Sequence, residues 1–320
     1  MMNHPPLITY LWIVMSKKSE MAAFIRRALL CLSLLVTLTA CTGSNQPIPT
    51  ATAKPRTSTP VPSPVPSVTL TPTPAPSATP TSDCHTLPGQ LVNGEIDTPL
   101  LPKPMTYHVY LPPCYDTDTA RRYPLLYLLH GQTYNEDQWI RLGVPTTADR
   151  LIATGQVAPF IVVFPYDYSY LQPWQYPFED VFMTLLVPQI DTTYRTLTDP
   201  AHRAVGGLSR GGAWALHLGL RHPDVFGAIG GHSAAIFYSD AGTLPITVRD
   251  LPQDRLPRIY LDAGNNDSEL PSSENIKKLL DTFNVPYEWH ENIGFHDEAY
   301  WGAHVEDYLR WYAAPWQSNP

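Results

Sequence analysis

Charge is scarce in this chain and leans one way. Of its 320 residues 16% are Asp, Glu, Lys or Arg, with 29 acids against 21 bases and a net charge of −8. Without residues 1–40, which hold four Lys/Arg and one Glu, the balance is about −11, which repels phosphates and excludes nucleic acid as a partner. Cysteine is rarer, at four residues, and there is no CxxC pair or His-rich spacing. The usual zinc arrangements are therefore excluded, and neither a metal nor a cofactor is expected. No internal repeat is apparent, and the apolar run from Ala28 to Thr39 is too short to span a bilayer comfortably. What is plentiful is proline: 35 residues, too many for one compact core.

The prolines are unevenly placed. Residues 42–82 are almost entirely Pro, Thr, Ser, Ala and Val, with Lys54 and Arg56 the only charges, and cannot bury enough apolar surface to fold. They read as an extended linker of at most about 130 Å at roughly 3.1 Å per residue, whose hydroxyls suit O-linked sugars on composition alone. Residues 1–41 read as a targeting segment: Lys17, Lys18, Arg26 and Arg27 as the positive flank, the apolar run, then Leu38-Thr39-Ala40-Cys41 as the exit. Those four residues resemble the lipobox of bacterial lipoproteins. The resemblance implies cleavage before Cys41, acylation of Cys41, and membrane contact through that lipid anchor only. An uncleaved anchor and a plain secretory signal are the alternatives, and each exports the domain. Translation start sites at Met15 and Met21 are compatible with the pattern. Cys84 and Cys114 remain for the mature domain, and in an oxidising compartment the pair reads as a disulfide, with two free thiols as the alternative.

Residues 83–315 carry short β-branched and aromatic runs alternating with helical patterns, the mark of βα units in a mostly parallel sheet. Strands are expected near 106–111, 125–129, 160–164, 204–206, 228–231, 258–262 and 287–291, with helices between them. Gly207-Leu208-Ser209-Arg210-Gly211 reads as the Gly-x-Ser-x-Gly elbow, in which a strand turns sharply into a helix and leaves the serine hydroxyl exposed. A Cβ at Gly207 or Gly211 would clash in such a turn. The helix after it should stop at Arg221-His222-Pro223.

Four further stretches could meet Ser209. After the run ending in His130-Gly131-Gln132, the Gln132 amide could join the Arg210 amide in holding an oxyanion, with His130 bracing the loop. Asp267, on the loop after the 258–262 strand, is the candidate acid; Asp262 still falls within the strand, and Glu269 is the substitute. His296, after the last strand, is the candidate base, while His304 fits the packing of the final helix. His217, His222, His232 and His290 read as structural. The aromatic stretch 166–178 could shape the substrate site, through Tyr166 and Trp174, as could Trp139 and Trp301; a loop packing its own aromatics is the competing reading.

Tyr194-Arg195-Thr196, Arg203, Gly207 to Gly212, His222-Pro223-Asp224, Gly264-Asn265-Asn266-Asp267 and Gly294-x-His296 followed by Trp301 together resemble the esterase D family of α/β-hydrolases. That family includes feruloyl and acetylxylan esterases, enterochelin esterases and mycolyltransferases. The resemblance covers the domain from about Met105 onward. It implies an α/β-hydrolase fold in a single catalytic domain, and a carboxylic ester hydrolase with Ser209, Asp267 and His296 as nucleophile, acid and base. Arg210 departs from it, standing where many members have methionine. The expected substrate is a small-molecule or polysaccharide-linked ester, phenolic or carbohydrate-borne. The alternatives are an acyltransferase of the mycolyltransferase type and a catalytically silent polymer-binding protein on the same scaffold. Oligomeric state is left open.

Overall fold

The structure, a computed structural model, describes Cys84 and residues 87–317. The targeting segment, Cys41 and the linker lie outside the described residues.

Eight strands form one sheet in the order β1-β2-β4-β3-β5-β6-β7-β8. They are β1 (Gln90–Ile96), β2 (Met105–Leu111), β3 (Leu125–Leu129), β4 (Ile161–Pro165), β5 (Arg203–Leu208), β6 (Ala228–His232), β7 (Arg258–Gly264) and β8 (Glu288–Asn292). β2 pairs antiparallel with both β1 and β4, and every other pairing is parallel. Strands β3 to β6 are buried along their whole length, as expected where helices cover both faces. Side-chain alternation divides the core into two layers. Leu125, Tyr127 and Leu129 face one layer with Val205 and Trp214; Leu126 and Leu128 face the other with Leu208, Tyr308 and Tyr312.

The helices are α1 (Gln138–Arg141), α2 (Val144–Ala153), α3 (Phe178–Val181), α4 (Val187–Thr193), α5 (Arg210–Arg221), α6 (Leu244–Arg249), α7 (Leu270–Thr282) and α8 (Glu298–Ala313). Between α3 and α4 the chain makes a wider π turn, Phe182–Leu186. Pro188 accounts for it: lacking an N–H and crowding the Thr184 carbonyl, it cannot continue a regular α ladder. Helix α5 ends at Arg221, where the sequence expects it to stop.

The seven expected strands are present within a few residues of their expected limits. β1 is the exception, unforeseen because its Asn93 and Gly94 weaken the strand pattern and four of its seven residues are exposed. It exists through full-length pairing with β2. The Cys84–Cys114 disulfide is formed and closes the segment that contains both strands.

Candidate active site

Parallel register aligns the carboxyl ends of the central strands. Leu129 pairs with Gly207, Leu208 with His232, and His232 with Asp262, so the loops after β3, β5, β6 and β7 emerge side by side. Ser209 sits on the turn from β5 into α5 with φ 54° and ψ −119°, a strained conformation for a residue with a side chain. The elbow is held by main-chain bonds: Ser209 N–H donates to His232 O at 2.9 Å, and Ser209 O accepts from Ala213 and Ala235. A Cβ on Gly207 would stand 2.3 Å from the Gly211 carbonyl, and one on Gly211 2.2 Å from Leu129 O. Strand and helix therefore meet backbone to backbone. Gly211→Ala is expected to destabilise the domain by about 3 kcal/mol or more, because the obstacle is main chain and cannot rotate away. Urea unfolding of the variant checks this, and a shift of a few tenths of a kcal/mol would contradict it.

His296, on the loop between β8 and α8, places Nε2 2.9 Å from Ser209 Oγ and Nδ1 2.8 Å from Asp267 Oδ1. With its proton on Nδ1, the ring donates to Asp267 and accepts from Ser209. The Asp267 side chain is fully buried and the His296 side chain 24% exposed, so one end of the relay is dry and the other faces the cleft. Burial pushes the Asp267 carboxyl up, but hydrogen bonds from His296 and the Glu269 amide, with the Ser233 hydroxyl close by, outweigh it and hold the group below its ordinary range. Asp262 is committed elsewhere, accepting from Tyr300 and Tyr308 and bonding His232 at 2.8 Å, all buried. Glu269 serves the site through its backbone, which donates to Asp267 Oδ1 at 2.6 Å. His304 pairs with Asp307 on α8, away from the relay.

The turn after β3 lies over the nucleophile: a Cβ built on Gly131 would stand 3.7 Å from Ser209 Cβ. The Gly131 N–H is taken by Gln138 Oε1 at 2.8 Å. His130 is buried, with Nδ1 2.7 Å from Gly131 O and Nε2 accepting the Asp167 N–H. Burial lowers its pKa and keeps it in this neutral, bracing role.

Asp167 begins the aromatic loop and fastens it. Its Oδ2 accepts from Arg210 Nε at 2.8 Å and from Trp214 Nε1 at 2.7 Å, while Arg210 also donates to Leu171 O. Both charged side chains are buried, at 6% and 4% exposure. The arginine that departs from the family pattern is therefore a rivet beneath the loop. Arg210→Met would strand the Asp167 carboxylate and is expected to cost about 3 kcal/mol, with part recovered in Arg210→Met/Asp167→Asn. Unfolding of the single variants and the pair checks this, and simple additivity would contradict it.

Two of the aromatic candidates are corrected. Trp139 is 1% exposed, donates to Leu129 O and packs on His232 and Tyr308, so it is core and cannot touch a substrate. Trp301 is likewise buried. It donates to Ser233 Oγ at 3.0 Å and sets its ring edge-on to His296 at 5.0 Å, which positions the imidazole. Tyr166 is partly exposed against His130 and Tyr168, and Trp174 is 74% exposed on its loop. Two contributors escape the sequence reading. Ser233 and Gln138 act at the site through hydrogen bonds between distant segments, and no local motif announces either.

A crossover parallel sheet with a serine elbow, and a histidine and a buried acid on the following strand ends, defines the α/β-hydrolase fold. The model of the Esterase family, described as "Putative esterase", matches residues 98–312. The chain belongs to that family, which places the domain among the carboxylic ester hydrolases. It is 34% identical over 184 residues to an endo-1,4-beta-xylanase/feruloyl esterase of Xylanibacter ruminicola, covering 54% of this chain and 24% of that protein. The match thus spans about a quarter of that relative's length. Among solved structures it resembles a ferulic acid esterase with TM-score 0.65 and 26% identity, over 71% of this chain and 99% of the other. An S-formylglutathione hydrolase of Staphylococcus aureus shares the fold with TM-score 0.60 and 17% identity, over 70% and 99% of the two chains.

Proposed function

We propose that the protein is an exported serine esterase that cleaves a phenolic or carbohydrate-linked carboxylic ester through an acyl-enzyme. The observation that carries this reading is the continuous relay from Ser209 Oγ through His296 to buried Asp267. In it His296 takes the Ser209 proton as Oγ attacks the ester carbonyl, and Asp267 stabilises the imidazolium without itself becoming protonated. His296 then gives the proton to the departing alcohol. Water, activated by the same imidazole, releases the acid.

The oxyanion is held by the amides of Arg210, the first residue of α5, and Gln132. With Gly131 N–H committed to Gln138, Gln132 is the next donor in the turn. The feruloyl part of the reading leans on the relatives' names. Export and the lipid at Cys41 lean on residues 1–41 alone. The test is labelling by a fluorophosphonate probe together with hydrolysis of p-nitrophenyl acetate and methyl ferulate. Folded protein that neither labels nor turns over either ester would overturn the assignment.

A further inference from the structure

Toward the far end of α5 from the elbow, the loop 166–178 and the loop after β6 line an open cavity of about 660 Å³. Gln172 Oε1 accepts the Ser239 N–H at 3.2 Å and ties the two loops together. Trp174 and Tyr238, 74% and 88% exposed, stand on its rim as bare aromatic faces. Its floor is polar. His217 bridges Asp240 Oδ2 at 2.7 Å and Glu179 Oε2 at 2.9 Å, Arg221 lies 3.7 Å from Asp240, and the Ser239 hydroxyl is buried with no hydrogen-bond partner.

We propose that this cavity is a sugar subsite, binding a neutral glycosyl unit on the alcohol side of the ester. Aromatic faces above and hydrogen-bonding groups below match a sugar ring, which has C–H groups on its faces and hydroxyls around its edge. The carboxylates are paired with His217 and Arg221, so the floor shows no excess of one sign to attract an ion. An aromatic acid would waste the polar lining, where Gln172, Gln175 and Arg221 border the cavity and offer groups that suit sugar hydroxyls. At 1.5 Å per residue along α5, His217 and Arg221 lie about 12 to 18 Å from Ser209. The subsite therefore engages a unit beyond the esterified sugar, and small esters do not reach it. The proposal rests on the esterase reading for its place in the reaction, though not for the binding itself.

Two measurements on the full chain test it. In the first, xylotetraose binding is titrated by isothermal calorimetry. Saturable binding is expected, and Trp174→Ala or Tyr238→Ala should abolish or weaken it about tenfold. In the second, kcat/KM is compared for a feruloylated arabinoxylan oligosaccharide and for methyl ferulate. Tyr238→Ala should lower the first about tenfold through KM and leave the second unchanged. No binding of xylotetraose, or equal effects on the two esters, would overturn the subsite. Wild-type protein that binds xylotetraose but cleaves neither ester would overturn the esterase reading while upholding the subsite.

Discussion

Ser209→Ala is expected to lower kcat by about 10⁶-fold and to abolish fluorophosphonate labelling, while the protein folds as before. The substitution removes only Oγ. Alanine keeps the Cβ that the strained backbone already tolerates, so the elbow geometry and its bonds to His232, Ala213 and Ala235 persist. His296 then has no hydroxyl to deprotonate. The oxyanion amides and the binding surfaces survive and leave a residual rate about 10³- to 10⁴-fold above water. Steady-state kinetics on methyl ferulate, with thermal unfolding as a control for folding, decide the point. A loss below tenfold would mean that another group attacks the ester.

Asp267→Asn is expected to cost about 10⁴-fold in kcat, with little change in KM. The carboxylate accepts the Nδ1 proton of His296 and the Glu269 amide on the same oxygen. An asparagine that turns its NH₂ toward His296 forces the imidazole proton onto Nε2, where it can no longer take a proton from Ser209. One that turns its oxygen there still lacks the charge that stabilises imidazolium. The pH dependence has a definite sign. Because the folded-state pKa of Asp267 is depressed, its stabilising contribution is present above the unfolded value of about 3.9 and disappears as pH falls through the lower folded value. Activity lost on acidification above about pH 4 therefore does not come from protonating Asp267. The stability gap between wild type and Asp267→Asn should close only at still lower pH. A gap already closed at pH 5 would contradict the assignment.

The parts of this site that were legible in the sequence are those written in local chemistry. The glycines around Ser209 declare a turn in which main chain meets main chain. The loop acid after β7 follows a strand whose apolar run is plain to read, and the histidine after β8 follows a short polar strand with Tyr287 just before it and Trp289 within it. Asp262 could be set aside because it falls within the strand, and the structure shows the same residue locked by His232 and two tyrosines. What could not be read is the identity of partners across long sequence separations. Whether Trp139 and Trp301 face solvent or core depends on neighbours from distant segments, His232 and Tyr308 for the first and Ser233 for the second, since a tryptophan after a strand end suits either place. Arg210 likewise shows only as an oddity in the motif until Asp167 is placed beneath it. β1 was hidden for a related reason, as an edge strand defined by its partner rather than by its own residues.

The disulfide between Cys84 and Cys114 has a mechanical side. Strand β1 lies within the covalent loop that this bond closes, and β1 is the sheet's edge, the strand that a pull on the preceding chain would otherwise peel away one pair at a time. With the bond in place, tension arriving at Cys84 passes directly to Cys114, beyond the end of β2, and the β1–β2 ribbon carries none of it. The load goes on into the chain after Cys114, past the paired residues of both strands. A domain dragged by its leading end against a resisting polymer would keep its edge intact for as long as that bond stays oxidised.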